Sequence, residues 1–393
     1  MAATRFEILV LNNISVAGLE RLPAERYHVA HQASAPDAIL VRSADMHGMT
    51  IAPSVRAIGR AGAGTNNIPV KNLSRRGVPV FNAPGANANA VKELVLAGLF
   101  LAARNIVPAA QFVRGLTSEG DALDRVVEAG KKAFGGFELP GRTLGVVGLG
   151  RVGSLVADAG IKLGMQVLGY DPDITVDAAW GLPAQVRRAN TIDEVLRASD
   201  FVSIHIPLLA ATRGLLDERA LALARPGCVL LNFSRDAVVD EQAVVDALAA
   251  KRLRAYVTDF PSAAYRDRPE VIALPHLGAS TQEAEDNCAM MVADQLRGYL
   301  EHGEIRNAVN FPDAVMPRES PYRVAIANAN VPNMLGQIST TMAKAGLNIH
   351  NMLNKSKGDM AYTLVDTESA VGVDVIAALA QIDGVLAVRY LPA

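Results

Sequence analysis

The run TLGVVGLGRVGSLVA, residues 143–157, restricts the fold of this chain more than any other feature. An apolar, β-rich stretch enters glycines at Gly148, Gly150 and Gly153, and an Ala- and Leu-containing helical stretch follows. In such a strand–turn–helix the first glycine permits the tight turn and the second lets the backbone approach a pyrophosphate. The third lets the helix pack closely on the strand, and the helix N-terminus attracts the negative charge. Asp171 closes the next β-like run, 18 residues after Gly153, at the distance where a carboxylate accepts hydrogen bonds from an adenosine ribose. The residues after it are Pro172, Asp173 and Ile174. No basic side chain is there to hold a 2′-phosphate, so NAD is expected in preference to NADP.

Around this fingerprint, short β-rich runs alternate with helical stretches, the pattern of parallel sheets joined by right-handed crossovers. Strands are expected at 6–11, 38–41, 57–60 and 78–81, then a long helix at about 89–104 and a polar, lysine-containing segment. A second set is expected at 143–148, 166–170, 201–205, 228–233, 254–258 and 271–274, the size of a full dinucleotide-binding sheet. Residues 281–302 space their apolar positions by 3 or 4 and read as one amphipathic helix. A proline-containing linker follows, and 322–393 reads as βαββαβ. The expected class is α/β: a flavodoxin-like substrate domain (1–98 and 285–312) and a Rossmann NAD domain (99–284). A linker (313–321) then leads to a ferredoxin-like module (322–393). Both doubly wound sheets are expected to be parallel.

Composition removes other classes. The 393 residues are 50% hydrophobic and 20% charged with a net charge of −2, a globular balance without a basic field for nucleic acid or an anionic membrane. Cys228 and Cys288 lie outside any CxxC or Cys/His cluster, so neither a disulfide framework nor a metal site is expected. The start lacks the pattern of a secretory leader and no apolar run approaches a membrane span, so a cytoplasmic location is expected.

LNFSR (231–235), VTDFP (257–261) and LPHLGAST (274–281) fall at expected strand ends, where open α/β sheets bind ligands. An arginine there can clamp a carboxylate bidentately, and a histidine can exchange a proton with a hydroxyl while hydride leaves the same carbon. Alone, Arg235 equally suits a surface or capping role, and His276 suits a satisfied structural histidine. Beside the fingerprint they read as the catalytic pair of an oxidoreductase acting on a small molecule.

These segments, with GRAGAGTNNI (59–68), NAPGANANAVKEL (82–94) and HIPL (205–208), resemble the D-2-hydroxyacid dehydrogenases over nearly the whole chain. Within that family the resemblance is to the D-3-phosphoglycerate dehydrogenase branch. It implies oxidation of 3-phospho-D-glycerate to 3-phosphohydroxypyruvate in serine biosynthesis, with Arg235 on the substrate carboxylate and carbonyl and His276 as acid/base. It further implies Arg151 and Val152 on the pyrophosphate, Asp171 on the ribose and Ile206 near the adenine. Phe233, Ser234, Gly278 and Ala279 would line the cofactor, and Asp259 would meet the nicotinamide carboxamide. Arg60, Ala61, Gly62, Ala63 and Asn87 would face the substrate, and Lys131 and Lys132 match a basic segment that can reach a neighbouring subunit's site. A homodimer or homotetramer is expected. Two other readings stay open: another D-2-hydroxy acid as substrate, and a catalytically silent NAD-sensing protein.

The family usually carries a glutamate about five residues after the aspartate that matches Asp259. Here that position is Ala264, and Asp267 and Glu270 are the only carboxylates between Phe260 and His276. Asp267 as partner, a carboxylate of another chain, or a His276 without one are the alternatives. The C-terminal module resembles an ACT domain, which implies Asn328, Asn330 and Asn348 as contacts for an amino-acid effector such as L-serine. Asn333 stands where a glycine commonly follows the loop proline, and asparagine tolerates left-handed backbone.

Overall fold

The computed structural model describes residues 5–392. By internal contacts the chain divides into two compact units, Met1–Asn87 with Gln282–Ala393, and Ala88–Thr281.

In the first unit five parallel strands, β1 (Phe6–Leu11), β2 (Tyr27–Ala30), β3 (Ala38–Val41), β4 (Ala57–Arg60) and β5 (Val80–Phe81), lie in the order β2-β1-β3-β4-β5. This is the flavodoxin-like order. β2 is not among the strands expected from the sequence: its Tyr27 is buried, but His28 is exposed and Val29 and Ala30 are half-buried, so its apolar signal is short. The helix Gln282–His302 buries Ala289, Val292, Leu296 and Leu300 as one stripe against this sheet, as the 3-to-4 spacing predicts.

The second unit carries seven parallel strands: β6 (Thr143–Val147), β7 (Gln166–Tyr170), β8 (Arg187–Arg188), β9 (Phe201–Ile204), β10 (Cys228–Asn232), β11 (Leu253–Thr258) and β12 (Val271–Ala273). Their order is β12-β11-β10-β9-β6-β7-β8, the Rossmann winding with one extra edge strand. The two-residue β8 consists of exposed arginines and carries no apolar signal to read. The helix Ala88–Ala103 belongs to this unit, so the contact boundary lies ahead of the expected residue 98. The cause is its buried stripe of Val91, Val95, Leu99 and Ala102, which shares a core with Leu231, Phe233 and Val257. The polar segment after it is helical at Ile106–Arg114 and Gly120–Gly130, and neither helix buries a residue within this chain.

The C-terminal module is an antiparallel sheet of β13 (Tyr322–Ala329), β14 (Ile349–Lys357), β15 (Met360–Thr367) and β16 (Val385–Pro392), ordered β14-β15-β13-β16. With helices Met334–Lys344 and Val373–Ala380 it is the βαββαβ fold expected. The helices cover one face of the sheet, around Val324, Ile326 and Val365. The other face, with Ala325, Ala327, Tyr362 and Leu364, shares a core cluster with Phe81, Tyr299, Leu300 and Phe311. The sequence suggested a module set off by a linker, whereas it is packed into the first unit. A fully buried pair, Arg323 to Asp366 at 2.6 and 2.8 Å, stands at this junction, and Arg323 also donates to the His302 and Pro317 carbonyls. Tyr362 donates to the Gly303 carbonyl at 2.7 Å, and Arg389 caps the helix end through the Tyr299 and Leu300 carbonyls. Among the described residues no helix is long and apolar enough to cross a membrane.

Candidate active site

At the fingerprint, β6 turns sharply through Gly148, whose φ is +87°. A Cβ at Gly148 would stand 2.5 Å from the His205 carbonyl, and one at Gly153 only 1.9 Å from the Gly148 carbonyl. Both positions require glycine because backbone meets backbone. At Gly150, which begins the helix Arg151–Lys162, a Cβ would meet nothing within 4 Å. The space where that Cβ would stand, at the helix N-terminus, therefore holds no other protein atom within 4 Å. Arg151 is exposed there and Val152 half-buried.

Asp171, at the end of β7, accepts from the Leu149 N–H at 2.8 Å through one oxygen and from the Asp173 N–H at 3.0 Å through the other. It thus braces the glycine turn, a role the motif did not reveal. Ile206 follows β9 and is half-buried.

Arg235, Asp259 and His276 follow the C-terminal ends of β10, β11 and β12, three neighbouring strands. Asp259 is 1% exposed. Its Oδ2 accepts from the Gly278 N–H at 2.9 Å, while its Oδ1 is buried without a hydrogen-bond partner. Burial pushes this carboxyl above the usual aspartate range, opposed by the Gly278 N–H and by the charges of His276 and Arg235. His276 is exposed, with a left-handed backbone (φ +49°) pinned by its N–H to the Asp259 and Leu274 carbonyls at 3.0 and 3.1 Å. Its ring stands edge-on to Phe260, 5.2 Å between centroids. Arg235 is exposed and donates to the Ser234 carbonyl at 2.6 Å. Phe233 and Ser234 are buried, Gly278 is buried and Ala279 half-buried.

Asn232 was not singled out by sequence, yet it is fully buried and holds the Arg235 turn. Its Oδ1 accepts from the Ser234 N–H and Oγ at 3.1 and 2.9 Å, and its Nδ2 donates to the Arg235 carbonyl at 2.9 Å. Only its place at the end of an apolar run could have pointed to it. Asp267 is exposed and makes no hydrogen bond or ion pair with His276, so the structure does not bring the two together. Lys131 and Lys132 are exposed on a short helical turn, with Lys131 paired to Glu128.

In the first unit the expected substrate loops are tied to each other. The Gly62 carbonyl accepts from the Ala83 N–H at 2.9 Å, and the Ala63 carbonyl from Asn82 Nδ2 at 2.6 Å. The Arg60 guanidinium lies against Gly62, and Ala61 is buried and bonded to the Val41 carbonyl. Asn87 is half-buried at the end of the second loop.

In the C-terminal module Asn328 and Asn330 line a cavity of about 190 Å³ together with Asn333, Asn354 and Ala361. Asn333 adopts the left-handed conformation (φ 63°) that its loop requires. Asn348 is not in this cavity. It precedes the Ile349 end of β14, which pairs with Thr367, whereas Asn328 pairs with Ala361. Six residues of strand, about 20 Å, separate those rows.

A doubly wound sheet, a glycine turn with an acid at its flank and an Arg/Asp/His set on adjacent strand ends define a dinucleotide-dependent α/β enzyme. The model for the NAD binding domain of the D-isomer specific 2-hydroxyacid dehydrogenases matches residues 96–278. The D-3-phosphoglycerate dehydrogenase of Escherichia coli strain K12 is 33% identical over 349 residues, covering 85% of this chain and 81% of its own. That of Mycobacterium bovis is 38% identical over 292 residues, 72% of this chain and 53% of its own. Among solved structures, the NAD+-bound 3-phosphoglycerate dehydrogenase of Entamoeba histolytica matches with a TM-score of 0.61 at 23% identity, covering 78% of this chain and 99% of that one. The chain belongs to the D-isomer specific 2-hydroxyacid dehydrogenase family, and its cofactor is NAD.

Proposed function

We propose that the protein oxidises 3-phospho-D-glycerate to 3-phosphohydroxypyruvate. The observation that carries this reading is the placement of Arg235, Asp259 and His276 on three adjacent strand ends of a fingerprint-bearing sheet. The relatives named D-3-phosphoglycerate dehydrogenase support the choice of substrate.

The residues present fit NAD. The open helix N-terminus at Gly150 suits the pyrophosphate, Asp171 suits the ribose diol, and the unpartnered Asp259 Oδ1 suits the amide N–H of a carboxamide. Bound NAD supplies the hydride acceptor. Arg235 holds the substrate carboxylate and draws electron density from the neighbouring carbon, its planar fork matching two oxygens. His276 takes the C2 hydroxyl proton as the C2 hydrogen departs with its electron pair, and returns it in the reverse direction. NADH production over a panel of D-2-hydroxy acids tests the reading. Turnover with phosphoglycerate well above the other acids supports it, a different best substrate moves it within the family, and NAD binding without turnover on any acid favours an NAD sensor.

Asp171 is proposed to set cofactor choice. Its carboxylate would repel a 2′-phosphate, so turnover with NADP should fall far below that with NAD. Equal turnover with the two cofactors would remove Asp171 from that role.

A homo-oligomer completes the proposal. Phe100, Ile106 and Val113 are 40–57% exposed on helices of the second unit, an apolar surface suited to a second copy. Lys131 and Lys132 lie in the same region of sequence. The module is read as ACT-like, with L-serine as effector held by Asn328 and Asn330 of one copy and Asn348 of another, since Asn348 lies at the opposite end of the sheet. Calorimetry on the full chain with serine, glycine and alanine should show heat for serine and loss of it in Asn330→Ala. No heat with any of the three would leave the module an assembly role.

A further inference from the structure

The hairpin that joins β14 to β15 turns through Gly358 (φ +56°) and Asp359, with Lys357 paired to Met360. Asn330 holds both carbonyls of that turn: its N–H donates to Asp359 at 2.9 Å and its Nδ2 to Gly358 at 3.0 Å. The hairpin tip is thus fastened to a residue that lines the asparagine cavity. On its other side the same tip reaches the first sheet, where Lys357 Nζ donates to the Ala308 carbonyl at 2.9 Å. Ala308 bridges antiparallel to Phe81, the last residue of β5, and the Val309 N–H donates to the Val80 carbonyl at 2.9 Å. β5 runs directly into the loop 82–87. There Asn82 Nδ2 donates to the Ala63 carbonyl at 2.6 Å and the Ala83 N–H to the Gly62 carbonyl at 2.9 Å. Both expected substrate loops are therefore joined to the segment that Lys357 grips. Asn82, Pro84, Ala308 and Lys357 also line one cavity of about 490 Å³, which leaves room for segment and loop to shift.

We propose that Lys357 is a positioning residue for the substrate loop 82–87, and that through it a ligand in the Asn328 and Asn330 cavity acts on substrate binding. The proposal rests on the reading of that loop as substrate-facing and, for its second half, of the cavity as an effector site. Lys357 is not required to touch substrate. It acts by fixing Ala308, against which β5 ends. The hairpin tip has two holds, Asn330 on the cavity side and Ala308 on the loop side. An amino acid whose carboxylate draws on the Asn330 amide competes with the Gly358 carbonyl for the same donor. The tip then shifts, and Lys357, the neighbour of Gly358, carries the shift to Ala308 and the loop. Such a link is a coupling free energy between two sites, and removing the ammonium removes the coupling without emptying either site.

The test uses the full chain with saturating NAD, whichever D-2-hydroxy acid of the panel turns over fastest, and L-serine as the probe. Lys357→Met keeps the apolar stem and removes the donor. It should raise KM about fivefold, the weight of one partly exposed hydrogen bond, with kcat and the unfolding midpoint close to wild type. Calorimetric heat from serine should persist, while the change that serine causes in kcat/KM disappears. Lys357→Arg, which keeps a donor and a charge, should restore both. A lysine with a merely structural role would lower the unfolding midpoint and leave KM and the serine response in place.

If Lys357→Met does not fold, Lys357→Leu carries the same measurements. A wild-type KM and a full serine response in the folded variant, with serine heat present, would overturn the proposal alone. No serine heat, or heat without any change in wild-type kcat/KM, would overturn its second half, and KM in the variant then decides the first. An Asn87→Ala enzyme with wild-type KM would place the loop away from substrate and overturn both that reading and the proposal.

Discussion

Arg235→Lys is expected to lose about 10² to 10³ in kcat/KM, or roughly 2–4 kcal/mol of transition-state stabilisation. The charge is conserved, so a simple electrostatic role would predict a near-normal enzyme. A lysine ammonium is a point charge on a flexible stem and cannot reproduce two parallel N–H contacts to a carboxylate. The turn that carries the residue is held by Asn232 through main-chain and side-chain contacts, none of which involves the guanidinium. The substitution should therefore leave the fold and NAD binding intact. Steady-state kinetics with both parameters resolved checks this, and a variant within a few-fold of wild type would remove Arg235 from the substrate site.

Asp366→Ala should shift unfolding more than any surface change in the molecule. It leaves the Arg323 guanidinium fully buried with only the His302 and Pro317 carbonyls as partners. Breaking one side of a buried pair costs about 3–5 kcal/mol, because an uncompensated charge remains in a low-dielectric interior. Replacing both partners, as Arg323→Met with Asp366→Leu, should recover part of that loss, since the desolvation cost disappears with the charges. Denaturant unfolding of the full chain, followed by a probe in the C-terminal module, reads the effect. An unchanged transition in Asp366→Ala would mean that the module is not tied to the first unit through this pair.

The exposed carboxylate Asp267 and the buried Asp259 show where sequence reading stopped. Both are aspartates near His276 along the chain, and Asp267 became a candidate partner because Ala264 stands where the family resemblance implies a glutamate. In the structure Asp267 is solvent-exposed without a bond to His276. Asp259 is buried, holds the Gly278 N–H and lends its main-chain carbonyl to the His276 N–H. Loop conformation decides which carboxylate faces the site, and a loop whose contacts are long-range leaves no periodic trace in the sequence. The Tyr256 side chain is similar. As one residue in an apolar strand it reads as core, and its hydroxyl gains a partner only when β10 is laid beside β11 and Asn232 comes within reach.

By itself, the sequence determined the class of this protein: two doubly wound sheets, a fingerprint that admits a pyrophosphate, an acid at its flank and a βαββαβ tail. Those features are local, since glycine permissiveness, strand and helix periodicity and an acid at a fixed spacing act within a few tens of residues. Only the tertiary structure decided that Asp171 braces the glycine turn and that the helix Ala88–Ala103 packs with the second unit. It also decided that the C-terminal module joins the first unit's core and that Asn348 stands far from the Asn328 cavity. Each of these depends on which faces meet across hundreds of residues of chain. Burial of apolar surface rewards any complementary pairing of such faces, so the choice among pairings emerges only when the whole core is assembled.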